Sequence, residues 1–205
     1  MHDRRPHRLR RLHSRARPLP QRALEDLQYI RETMERSSAF TATPGWGQIV
    51  MGITALVAAT IASGRPHAGP WLAVWMTEAL VAVTIALIAM QFKARRAGLP
   101  LTSGPGRKFA LGFLPCLVVA TLLTGALGRA GLVRLLPGVW LLLYGAGVIT
   151  GGAFSIPLLP AMGLCFLATG TLALFLPAWG NLLMAVGFGG LHIFFGAWIA
   201  RQHGG

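Results

Sequence analysis

The residues able to do chemistry in this chain are few, and they lie inside apolar runs. Glu78 sits in "WLAVWMTEALVAVTIALIAMQF" (Trp71 to Phe92) and is the sole Asp or Glu after Glu35. His192 lies in "GFGGLHIFFGAW", and Tyr144, Thr121 and Thr169 are further polar residues in apolar surroundings. A carboxyl in such a setting marks either a protonatable or cation-binding site or a packing contact, because a charged group facing hydrocarbon is disfavoured by about 2.5–3.5 kcal/mol. His192 lacks a second intramembrane His for bis-His haem ligation, since His67 falls in a loop, so it reads as a His hydrogen-bonded within a bundle. Cys116 and Cys165 have no CxxC spacing and no neighbouring His; they read as reduced, small apolar residues, and no metal site or cofactor is expected. Ser155 in "GGAFSIP" and His192 are too far apart in depth, roughly 10 Å, for a serine nucleophile and its base. The sequence also has no P-loop, HExxH or carboxylate pair, which points to a non-enzymatic protein.

What must position these residues follows from composition. The chain has 205 residues, is 54% hydrophobic and 12% charged, and has a mean hydropathy of +0.57. Apolar content so high and so continuous predicts an all-α integral membrane protein. Six spans of about 20 residues fit, at about 46–63, 71–92, 109–128, 135–154, 157–176 and 180–199. The first apolar run starts only near Trp46, far beyond a signal-peptide n-region, so the first span is expected to stay as an anchor. Gly147 with Gly151, a GxxxG, and Ala185 with Gly189, a small-xxx-small pair, predict close helix packing in the second half.

Ahead of the spans come two further regions. Residues 1–22 hold eight Arg, three His, three Pro and one acid, a mixture that predicts a disordered tail able to meet anionic lipid. Residues 23–45 form a juxtamembrane helix and linker: Leu24, Leu27, Ile30 and Met34 recur at helical spacing, opposite Glu25, Asp26, Gln28, Glu32 and Glu35. That apolar face suits a protein groove or the bilayer surface. Residues 200–205 are a short tail.

The formal charge of +13 resembles a nucleic-acid signal, but ten of the nineteen Lys and Arg precede residue 37, so no nucleic-acid partner is expected. Counting the tail, the 93–108 loop and Arg201 gives sixteen basic residues on one side, against Arg65, Arg129 and Arg134 on the other. The positive-inside rule then puts both termini in the cytoplasm. Seventeen Arg to two Lys, with abundant Ala, Gly, Pro and Leu, suggests a GC-rich bacterial genome and hence a bacterial inner membrane.

With that topology, Glu78 lies roughly 10 Å below the outer surface, at a depth shared by Thr121, Tyr144 and Thr169, while His192 lies roughly 8 Å deeper. Thr121, Tyr144, Thr169 and Arg134 are therefore the expected partners of Glu78, and Glu78, Thr121, Tyr144, Thr169 and His192 form the candidate ion or proton site. The segments "ALEDLQYIRETMERSSAFTATPGWGQIVMGITAL", "LLLYGAGVITGGAFSIPLLPAMG" and "GFGGLHIFFGAWIARQHGG" resemble a group of uncharacterised bacterial multi-pass membrane proteins. The resemblance implies the six-span architecture and a bacterial origin and no specific activity; residues 1–22 fall outside it. The reading is a non-enzymatic interaction, sensory or accessory membrane protein acting through a partner or its own oligomer. The alternative is a small transporter or channel subunit that uses Glu78.

Overall fold

A computed structural model describes residues 24, 26–30, 44–96, 104–153 and 155–203. The chain divides into two units, Met1–Ser37 and Ser38–Gly205. In the first, residues 26–30 are helical, and Leu24, Leu27 and Ile30 are exposed. Met34, expected on the same face, lies outside the described residues.

The second unit is built from α-helices: α1 (Gly45–Ser63), α2 (Ala68–Arg96), α3 (Gly104–Arg129), α4 (Leu136–Gly152), α5 (Leu158–Phe175), α6 (Gly180–Met184) and α7 (His192–His203). A π-helical segment, Ala185–Leu191, joins α6 to α7, so these three pieces with the preceding 3-10 turn make one rod. Six helical stretches are long and apolar enough to cross a membrane: Gly45–Ser63, Ala68–Arg96, Gly106–Arg129, Val133–Gly152, Leu158–Phe175 and Pro177–Gln202. The chain is thus an all-α, multi-pass membrane bundle. The second and third spans run past the limits that hydropathy alone suggests, 71–92 and 109–128. Lys93–Arg96 and Arg107–Lys108 carry the helices beyond the apolar layer, because charge ends hydropathy without ending a helix. Gly131, with φ of 73°, supplies the left-handed residue that turns the chain between α3 and α4.

The interior is assembled from α1, α4, α5 and the sixth span. Phe166, Leu136, Leu141, Met162, Met184 and Ile199 are its fully buried large side chains. Two crossings bring backbones into contact. At α4 and α5, a Cβ placed on Gly145 would lie 2.8 Å from the Gly163 carbonyl oxygen, and one on Gly163 would lie 2.8 Å from that of Gly145. At α1 and α7, Gly45 and Gly196 face each other in the same reciprocal way, at 2.7 and 2.8 Å. Apolar side chains cannot drive helices together in lipid, which is as apolar as they are, so contact of this kind carries the association. Gly45 lies against Ala200 while Gly52 lies against Ile193 and Gly189, which sets α1 antiparallel to the sixth span.

Gly147 and Gly151 face α3, where added Cβ atoms would lie 2.9 Å from Phe113 and 3.0 Å from the Phe109 carbonyl oxygen. Thr150 Oγ1 donates to the Gly112 carbonyl across the same crossing, at 2.8 Å. Gly189 meets Leu56 of α1, and Ala185 packs against the main core. By contrast α2 and α3 are peripheral. About 6% of the apolar stretch of α2 and none of that of α3 is buried, against 33–44% for the other spans.

Candidate functional site

Glu78 is placed by α2, the helix that leans on α1. Leu80, Val83 and Leu87 take the outward side of α2, while Trp75 and Glu78, three residues apart, take the buried side. Glu78 is 9% exposed, and Thr54 Oγ1 of α1 donates to its Oε1 at 2.8 Å. Thr54 Oγ1 also lies 2.9 Å from the Met51 carbonyl one turn earlier. A hydroxyl has one hydrogen, so Thr54 shares it between the Met51 carbonyl and the Glu78 carboxyl.

The expected grouping around Glu78 therefore separates. Thr121 is exposed and returns its hydroxyl to the Leu117 carbonyl at 2.9 Å; Thr169 donates to the Cys165 carbonyl at 2.8 Å. Arg134 is exposed in the 3-10 turn Val133–Leu135. The physical reason is that depth fixes one coordinate of three. Azimuth around each helix, and which helices are neighbours, decide contact, and α2 packs on α1 and away from the faces of α3 and α5 that carry these threonines.

Tyr144 and His192 form a second, separate pair: the tyrosine hydroxyl and His192 Nε2 are 2.7 Å apart. The difference in depth expected from residue counting is closed, because helix tilt and side chains reaching along the axis shift polar atoms away from the level of their Cα. The pair is enclosed by rings. Phe113 stands edge-on to Tyr144 at 5.5 Å, Phe166 lies 4.8 Å from Tyr144, and Phe188 lies 5.2 Å from it. His192 Nδ1 is buried without a hydrogen bond of good geometry, beside the carbonyls of Gly187 and Phe188 in the π-helical segment. With Nδ1–H toward those carbonyls, Nε2 is the acceptor and the Tyr144 hydroxyl the donor.

A third polar cluster escaped the sequence reading. Asn181 Oδ1, in the first turn of α6, accepts from Trp71 Nε1 at 3.2 Å and Trp75 Nε1 at 3.1 Å, and its Nδ2 donates to the Ala59 carbonyl at 3.0 Å. One amide thereby ties α1, α2 and the sixth span together. Trp71 in turn stacks on Trp140, with centroids 5.8 Å apart and planes 7° from parallel, and Trp140 Nε1 donates to Thr124 Oγ1 at 2.8 Å. The available signal was the i,i+4 spacing of Trp71 and Trp75 followed by an Asn at the head of an apolar run. "PAWGN" instead reads as loop, since Pro, Gly and Asn are all turn residues. Thr54 and Gln48 were the other missed residues; each is a polar interruption of the first apolar run. Gln48 is 6% exposed, with Oε1 buried and unbonded.

No group of three or more His, Cys, Asp or Glu able to hold a metal ion occurs among the described residues. Cys116 and Cys165 are both free thiols. Fold and polar clusters together define a multi-pass helical membrane protein whose interior side chains clasp one helix to the next. No protein-family model matches the chain, and no match was found among curated proteins or among solved structures.

Proposed function

We propose that this chain is a non-enzymatic accessory protein of the membrane that acts by lateral association, with a second copy of itself or with another membrane protein. The observation that carries the reading is the division of labour among the spans. Four spans make the closed interior, whereas α2 and α3 are held on its rim and turn large apolar side chains outward: Leu80 (72% exposed) and Leu87 on α2, Leu111 and Leu122 (68%) on α3. Faces that contribute so little to the chain's own core are available to other helices. The charge asymmetry supports cytoplasmic termini, and the Arg-rich composition supports a bacterial inner membrane.

The test is the oligomeric state of the full chain in bilayers by single-molecule photobleaching, with cysteine cross-linking from positions 80 and 122 in a background lacking Cys116 and Cys165. Cross-links between copies, or to one reproducible membrane partner, with dissociation promoted by Leu80→Ala and Leu122→Ala, are the expected result. A monomer at every protein-to-lipid ratio, without cross-links, overturns the reading.

A second reading keeps Glu78 as a proton or cation site. It is favoured by the burial of that carboxyl beside one neutral hydroxyl, an arrangement that leaves room for a proton as counter-charge. In liposomes, Glu78→Gln should abolish proton-dependent flux while preserving the fold. Equal flux, or none in the unaltered protein, overturns it.

A further inference from the structure

The lipid-facing side of α2 carries a crease of about 520 Å³ lined by Leu87, Ile88, Gln91, Phe92 and Arg95. The spacing is that of two adjacent helical rows, Leu87–Gln91–Arg95 and Ile88–Phe92, so the crease follows the helix axis for roughly 12 Å from the last turn of α2 into its apolar stretch. Its far part is apolar and exposed, with Leu87 at 57%, Ile88 at 52% and Phe92 at 62%. Its near part ends in a cation, with Gln91 between the two. The arrangement has the polarity of an amphiphile laid along the helix.

Charge decides which amphiphile. Arg95 and Arg96 stand in the last turn of α2, and Ala94 packs against Phe109, which brings Arg107 at the head of α3 to the same end of the bundle. Arg201 belongs to that end too, since Ala200 lies against Gly45 at the start of α1. After Glu35 the sequence offers one acid, Glu78, seventeen residues before Arg95 on the same helix and roughly 25 Å away along its axis. Among the described residues of the spans no carboxylate therefore lies near Arg95, and a phosphate fits its guanidinium.

We propose that this crease is a binding site for an anionic glycerophospholipid, with the phosphate on Arg95, the glycerol ester region at Gln91 and an acyl chain along Phe92, Ile88 and Leu87. A soluble phosphate would leave the apolar rows uncovered, and a zwitterionic lipid would bring its own cation to Arg95. The site shares Leu87 with the outward face of α2 named above, but it does not depend on lateral association.

The test is a titration of the full-length protein in detergent with phosphatidylglycerol and with phosphatidylcholine of identical chains, read by native mass spectrometry. Phosphatidylglycerol is expected to bind more tightly. Arg95→Gln should weaken it about fivefold, the value of one basic group at a lipid surface, and leave phosphatidylcholine unchanged. Arg95→Lys should restore the preference, Phe92→Ser should weaken both lipids, and Arg201→Gln, the same charge change at the same end but off the crease, should have less than half the effect of Arg95→Gln. Equal affinity for the two lipids overturns the proposal, as does an equal effect of the two Arg substitutions, which would mean diffuse attraction. Glycerol 3-phosphate competing as well as the lipid, or a cross-linker at position 92 capturing protein in place of lipid, overturns it as well.

Discussion

Replacing Thr54 with Val deletes one hydroxyl, nearly conserves volume, and leaves Glu78 Oε1 without its partner. In water-soluble proteins, leaving a buried polar group unsatisfied costs about 1–3 kcal/mol. Interhelical hydrogen bonds in membrane proteins come out lower, near 0.6 and at most about 1.7 kcal/mol, because the separated helices find other partners in the bilayer. The second figure applies here, since α2 is a peripheral helix whose detachment would let Glu78 reach the headgroup region. A double-mutant cycle of Thr54→Val with Glu78→Met should therefore show a coupling of about 0.6–1.7 kcal/mol. The assay is reversible unfolding in mixed micelles, with the single variants and the double variant measured in one detergent series. Glu78→Gln keeps an acceptor for Thr54 and should shift stability by less than about 0.5 kcal/mol. Additive single effects, with coupling under about 0.3 kcal/mol, would refute the inference that this bond ties α2 to α1.

Other contacts give further expectations. Gly145→Val drives a branched side chain into the Gly163 carbonyl, where even a Cβ would sit at 2.8 Å, and should destabilise the bundle by about 3 kcal/mol or more in the same assay. Gly125→Ala, at a helical position with nothing within 4 Å, should be neutral or stabilising by up to about 1 kcal/mol. Asn181→Leu removes the acceptor shared by Trp71 and Trp75 and should cost about 2 kcal/mol, with changed tryptophan emission as the spectroscopic check. Tyr144→Phe removes only the hydroxyl that meets His192; about 1 kcal/mol of stability should be lost, and the imidazole nitrogen-15 shifts should move while those of His67 stay fixed.

Much of the architecture was legible in the chain itself. Membrane insertion depends on the length and continuity of apolar runs, which are properties of a one-dimensional string, so six spans could be counted and bounded to within a few residues. The isolation of Glu78 in such a run was equally visible, and with it the requirement that the side chain turn away from lipid. The remainder was hidden because contact between helices depends on azimuth, tilt and neighbour choice. Thr121 and Thr169 match Glu78 in depth yet spend their hydroxyls on their own helices, while Thr54, in the first span, reaches it. Tyr144 and His192, displaced in depth by residue count, touch.

Sequence alone determined that this is an all-helical, six-span protein with one interior acid and a basic bias toward one side, because hydrophobic thickness and charge placement act residue by residue. Tertiary structure decided which polar groups meet. The reciprocal glycine contacts of Gly145 with Gly163 and of Gly45 with Gly196 set where helices cross, and crossings fix every side chain's neighbours. Those crossings put α2 and α3 on the rim, which leaves Glu78 to Thr54 and exposes the Arg95 crease to lipid.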